Sequence, residues 1–284
     1  ESCVATGSIT WAIAIVGPER TAQVISMNGV TSYGGIALGA PVGLLLAGRH
    51  GLLPLGLVTV ALAAIGLALA VPRPAARQAA SGARVAFWRI LGTVAPYGLI
   101  LGSGSVGFGV VAAFVTLFYD QLGWALRGVW GPGSALSAFG IAFIAVRLTL
   151  VPQIARRGGL PVAVASLLVE AAGLMLVWRA PAPPVAVLGC AVTGAGFSLL
   201  FPALGVLAVA TAGARNRGSA LGAYSVFLDI SIGCSGPLLG LLATGHGYRA
   251  LFLAATAAAF LGLAGCARLS AMLDRSPPAR PDGG

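Results

Sequence analysis

Nine long apolar runs, nearly free of charge and separated by short turns that carry arginine, leave this chain little choice of fold. A helix needs about 20 consecutive apolar residues to cross a bilayer core. Runs near that length fall at about 1–16, 22–47, 52–71, 91–118, 128–150, 160–178, 184–211, 219–243 and 249–269. A soluble core could not absorb them, since the 284 residues are 58% hydrophobic and 8% charged, with a mean hydropathy of +0.95. Within lipid a helix satisfies its own backbone polar groups, so the expectation is an all-α membrane protein with nine spans. Several runs exceed the minimum, which permits tilt. The first is short and opens at Glu1 with no initiator Met, so a missing N-terminal part is expected.

The arginines set the topology. All 17 basic residues are Arg, in a chain rich in Ala, Gly and Pro, which suits a GC-rich bacterial gene and hence a bacterial cytoplasmic membrane. Arg20, Arg73, Arg77, Arg84, Arg89, Arg147, Arg156, Arg157, Arg215, Arg217, Arg268, Arg275 and Arg280 fall on one side of the nine spans. Arg49, Arg127, Arg179 and Arg249 fall on the other. Positive residues accumulate on the cytoplasmic side, so the C-terminus is expected there. The net charge of +10 does not mark a nucleic-acid partner, because the arginines stand in ones and twos without an aromatic-interleaved patch. Residues 72–90 form a Pro/Ala/Ser-rich basic connection, either a linker between two membrane halves or a segment lying on the anionic leaflet. The tail from 270 to 284 is expected to be disordered. Cys3, Cys190, Cys234 and Cys266 lack metal-ligand spacing, and no cofactor or metal is indicated.

The stretch TSYGGIALGAPVGLLLA (Thr31 to Ala47) places Gly35, Gly39 and Gly43 on one helical face, with Pro41 between two of them. Small residues at that spacing let membrane helices approach closely, and an interior proline bends the helix. A close-packed, bent span is expected. Displaced by 196 residues, GAPVGLLLAGRHG (Gly39 to Gly51) overlies SGPLLGLLATGHG (Ser235 to Gly247). Pro41 matches Pro237, His50 matches His246, and Gly236 and Gly240 continue the small-residue pattern. Six crossings separate the copies, so both run in the same direction, as in a parallel duplication.

These features resemble the major facilitator superfamily of secondary transporters. GAPVG looks like the Gly-Pro motif of that family's fifth helix, SGPLLG like its echo in the eleventh, and RLTLVPQIARRGG (Arg147 to Gly159) like the loop between the eighth and ninth. Ala40 stands where the motif usually has Gly before Pro, and Gln153 where the loop commonly has Asp. The resemblance implies a helical bundle with nine of an expected twelve spans. Residues 1–71 would be three helices of a first half, 72–90 a cytoplasmic linker, 91–269 a six-helix second half, and 270–284 a cytoplasmic tail. The opening residues are similar to bacterial efflux permeases.

Charges within lipid are costly, so each asks for a reason. Asp229 lies near mid-span, with Gly233, Gly236 and Gly240 following on its face. It reads as a proton or cationic-group site, or as a structural partner for an arginine or backbone donor. Glu170 is also near mid-span, on a helix that the resemblance makes peripheral, so buried hydrogen bonding competes with proton coupling. Arg147, at a cytoplasmic helix end, would snorkel to the interface as a topology anchor or partner a gate, and Arg156 and Arg157 belong to the same loop. Trp11, Asn28, Tyr33, Tyr97, Phe108, Phe114, Phe197, Tyr224 and Phe227 are candidates to line a cavity, or simply pack. GLILGSGSVGFG (Gly98 to Gly109) lies inside a span with no strand before it, so it is no phosphate cradle. His50 and His246 read as solvated turn residues.

The expectation is a monomeric transporter rather than an enzyme, moving a small organic solute by alternating access in proton-coupled export, with Asp229 as the candidate for the coupling. A non-transporting membrane scaffold or receptor, and an inactive truncated transporter, are the alternatives.

Overall fold

The computed structural model describes residues 2–17, 20–71, 85–125, 128–212 and 216–274. The side chains of Tyr33, Pro41 and His50, most of the 72–90 connection, and the tail beyond Asp274 lie outside the described residues. The helices are α1 (Ser2–Val16), α2 (Thr21–His50), α3 (Leu52–Ala70), α4 (Phe87–Gln121), α5 (Pro132–Leu150), α6 (Pro152–Arg157), α7 (Gly159–Arg179), α8 (Pro183–Ala210), α9 (Arg217–His246) and α10 (Arg249–Asp274). Each expected run falls on one long helix. Seven helices, α3, α4, α5 and α7 to α10, are long and apolar enough to cross a membrane among the described residues. The short α6 was not foreseen and turns the chain between α5 and α7. The connection also ends sooner than expected, because helix α4 starts at Phe87.

Prolines and glycines punctuate the chain as their backbone chemistry requires. Pro132, Pro152 and Pro183 open α5, α6 and α8, where a missing N–H costs nothing. Helices α2 and α9 are each 30 residues long, and each ends at a histidine followed by a glycine in the left-handed region, Gly51 at φ 77° and Gly247 at φ 75°. Their bounds differ by the same 196 residues as the sequence repeat.

Helices α4, α5, α7, α8, α9 and α10 form one packed group, in which α8 lies against α7, α5 and α4, while α10 bridges α7 and α4. The core sits on α4 and α8, whose faces carry Val94, Leu101, Val110, Phe118, Phe197, Leu200 and Leu204, all nearly or wholly buried. The first three helices join through α2, which packs on α5 and α8, and through α1, which packs on α9. Helix α3 has no buried residue and rests on α2.

The glycines of the expected close-packed span meet few described neighbours. Among the described residues nothing lies within 4 Å of a Cβ built on Gly35, Gly39, Gly236 or Gly240, and Gly43 meets only Leu55 at 3.6 Å. Pro237 is exposed. The tight seams run between α7 and α8, where a Cβ on Gly189 would fall 2.8 Å from the Val177 nitrogen, and between α4 and α9. In the second seam Gly102 faces the Phe227 carbonyl and Ser231, Gly109 faces Ser235, and Ser231 Oγ donates to the Gly102 carbonyl at 2.5 Å. The string Gly98 to Gly109 is therefore a helix-packing seam. On α2 the glycines that meet α5 are Gly29, against Arg147, and Gly34, against Ile144.

Candidate functional site

The last turn of α5 carries Arg147, which is only 2% exposed. Its guanidinium donates to the carbonyl of Ser198 on α8, makes a longer contact of 3.5 Å with the carbonyl of Ser26 on α2, and lies 4.6 Å over the Phe143 ring. The Ser198 carbonyl is open to it because the N–H that would reach that oxygen within α8 belongs to residue 202, and Pro202 has none. Gly29 leaves the room: a Cβ there would collide with the guanidinium. Ser198 Oγ in turn donates to the Phe143 carbonyl at 2.7 Å. A buried charge is tolerated only where such groups replace water. The expected snorkelling of Arg147 therefore does not occur, since α2 covers the end of α5. Arg156 and Arg157 do stay exposed, at the C-terminal turn of α6, where positive charge suits the helix dipole.

Beside Arg147 lies a cluster of rings. Phe108 of α4 stacks on Phe197 of α8 with centroids 5.6 Å apart and planes 2° from parallel, and Phe139 of α5 stands 5.6 Å from Phe108. Phe143 completes the group, 6.1 Å from Phe197. Phe108 and Phe197 are thus brought together, joined by Phe139 and Phe143, which sequence reasoning missed. Their signal was the four-residue spacing of two phenylalanines on one face of α5. Tyr224 is buried and donates to the Phe201 carbonyl at 3.0 Å, a packing role. Tyr97 is buried on α4, Phe114 packs on Tyr248, and the Phe227 ring lies where a side chain on Gly98 would be. Trp11 and Asn28 share a separate cavity of about 430 Å³ between α1 and α2 with Arg20, Gln23 and Thr31.

The two candidate carboxylates stand in opposite settings. Asp229 is exposed on α9, above Gly233, Gly236 and Gly240, whose missing side chains face open space among the described residues. Pro237 supplies no N–H to the Gly233 carbonyl, so a backbone oxygen is freed one turn from Asp229. Glu170 is completely enclosed on α7. Its oxygens rest against Gly104 and Gly107 of α4, its backbone against Gly196 of α8, and neither oxygen has a hydrogen-bond partner among the described residues. Helices α7 and α9 share no substantial contact, so the two acids do not form one site.

Contacts between the first three helices and the rest gather at one end of the bundle. Thr10 of α1 meets Gly218 at the start of α9, with 3.2 Å from its Cγ2 to a Cβ built there, and Ile25 of α2 meets Gly205 of α8. The buried residues described on α2 are Thr21, Ile25, Ser26 and Gly29, all in its first nine positions.

A sequence profile of the Major Facilitator Superfamily matches residues 131–284. An uncharacterized MFS-type transporter of Burkholderia mallei (strain SAVP1) is 46% identical over 271 residues, covering 93% of this chain and 63% of its own length. Another, of Pseudomonas aeruginosa (strain UCBPP-PA14), is 49% identical over 264 residues, covering 93% and 64%. The chain thus spans just under two thirds of the length of these relatives. The crystal structure of the human organic anion transporter MFSD10 (TETRAN) superposes with a TM-score of 0.74 at 15% identity, over 92% of this chain and 67% of that one, a likeness of fold alone. With more than half of its length matched by the family profile, and with the family's helical membrane fold, the chain is a member of the Major Facilitator Superfamily, a family of transporters and not of enzymes.

Proposed function

We propose that this chain belongs to a secondary transporter that moves a small organic solute across a bacterial cytoplasmic membrane, with α1 to α3 and α4 to α10 rocking against each other about a central cavity. The observation that carries this reading is Arg147, which ties α2 of the first group to α5 and α8 of the second through one buried guanidinium. The arginine distribution makes that end cytoplasmic. Toward the other end, the α2 and α9 faces that carry Gly35, Gly39, Gly236 and Gly240 meet no described atom and form an open face. The packed rings of Phe108, Phe139 and Phe197 brace α4, α5 and α8 against one another beside Arg147, which is the inner closure. Asp229, exposed on the open face beside a freed carbonyl, is the group that carries the coupling proton, and the transport direction is export. The working unit is a monomer.

The test uses the complete protein in inside-out membrane vesicles with an imposed proton gradient, and a panel of radiolabelled sugars and organic anions. We expect gradient-dependent accumulation of at least one solute, and loss of the gradient dependence in Asp229→Asn. No accumulation above protein-free vesicles would refute transport, and an unaltered gradient dependence in the variant would remove Asp229 from the coupling.

A further inference from the structure

The outer surface of the second group holds a feature that solute transport does not use. Between α4 and α10 lies a groove of about 580 Å³, lined by Gly92, Pro96, Leu99, Ser103, Leu261 and Met272 among others, with Arg268 beside its mouth. Three properties of the groove define an occupant. Its length fits one leaflet: from Gly92 to Ser103 the helix rises about 16 Å at about 1.5 Å per residue, half of a hydrocarbon core of about 30 Å. Its wall is apolar and outward-facing, with Leu99 64% and Leu261 71% exposed. Its mouth is positive and carries a backbone carbonyl that lacks its usual helical donor. Arg268 is exposed, and Pro96 brings no N–H to the Gly92 carbonyl. The small side of the groove, Gly92 and Ala95, keeps the channel open where larger residues would close it.

We propose that this groove seats one acyl chain of an anionic phospholipid, its phosphate on the Arg268 guanidinium and its headgroup hydroxyls toward the Gly92 carbonyl. Phosphatidylglycerol has both the charge and the hydroxyl donors. The long arginine stem lies along the apolar wall and lifts its charged end to headgroup level. Trp88, 78% exposed at the start of α4, stands at the depth where amphipathic rings favour the interface. The seat depends only on embedding in a bilayer, so it stands or falls separately from the transport reading.

The experiment is native mass spectrometry of the purified protein in detergent, titrated with phosphatidylglycerol or with phosphatidylcholine of identical acyl chains. Wild type is expected to retain phosphatidylglycerol preferentially. One arginine near a membrane surface changes affinity for anionic lipid by about fivefold, so Arg268→Gln is expected to lower retention by about that factor. Ala95→Phe, which fills the channel and leaves the charge, is expected to lower it as well. Arg268 is exposed and Ala95 half-buried at the groove, and an unchanged elution profile and melting temperature checks that both variants fold. Equal retention of the two lipids by wild type overturns the proposal, as does an Arg268→Gln protein that binds like wild type. Loss with Arg268→Gln but not with Ala95→Phe also overturns it, because the charge would then act without a seated chain.

Discussion

If Arg147 is held in place by the carbonyl that Pro202 leaves free, then substitutions at 147 and 202 must not be additive. Arg147→Met keeps much of the side-chain volume and removes the buried charge, but it strands the Ser198 oxygen. The Ser26 oxygen matters less, since its contact is 3.5 Å and no proline stands four residues on to take away its own helical donor. A buried acceptor with no partner costs about 1–3 kcal/mol. Pro202→Ala returns an N–H to position 202 and lets α8 satisfy Ser198 itself. In the double variant the stranded-acceptor cost disappears, so the coupling energy should be about 2 kcal/mol in the favourable direction. At about 2–4 °C per kcal/mol for chains near this size, the double variant should melt about 4–8 °C above the sum of the single effects. The assay is thermal unfolding of the four purified proteins in one detergent, followed by tryptophan fluorescence. Additivity within about 0.5 kcal/mol is what independent sites show, and finding it here would refute the link between Arg147 and Pro202.

Other substitutions test the remaining features. Gly196→Ala puts a Cβ 2.6 Å from the Glu170 Cα, so α7 and α8 must part by about 1 Å to regain ordinary contact; overpacking of that kind costs about 1–3 kcal/mol and should lower the melting temperature. Gly66→Ala on exposed α3, with nothing within 4 Å, should leave melting unchanged or raise it, and serves as the comparison. Burying a polar group without a hydrogen bond costs free energy, and Glu170 has no such bond among the described residues, so Glu170→Met should melt no lower than wild type, and a clear drop would mean that the carboxyl group has a partner. Tyr224→Phe removes one hydrogen bond to the Phe201 carbonyl and should cost about 1 kcal/mol in the same measurement.

The helices were legible because each apolar run is too long and too free of charge to be anything else in lipid. Arg147 was not, since its position at a helix end says nothing about whether a second helix covers that end. The decision lies in Gly29 and Ser26, about 120 residues earlier in the chain, and in a proline that acts through a missing donor rather than a side chain. Glycine spacing is a packing signal, but it does not say which neighbour, if any, a given glycine face meets. Gly35, Gly39 and Gly43 have the pattern, whereas the glycines in contact follow the pattern of their partner: Gly102 and Gly109 are spaced to receive Ser231 and Ser235. Asp229 and Glu170 look alike in sequence, both mid-span with small neighbours, and only the tertiary fold separates an exposed acid from an enclosed one.

The placement of that shared grip near the beginning of α2 makes the helix a lever. From Gly29 to His50 the helix extends about 32 Å at about 1.5 Å per residue, so a tilt of about 10° swings the far tip by about 5–6 Å. Small adjustments in how one guanidinium sits against two carbonyls are geared up into a displacement comparable to the width of a small molecule.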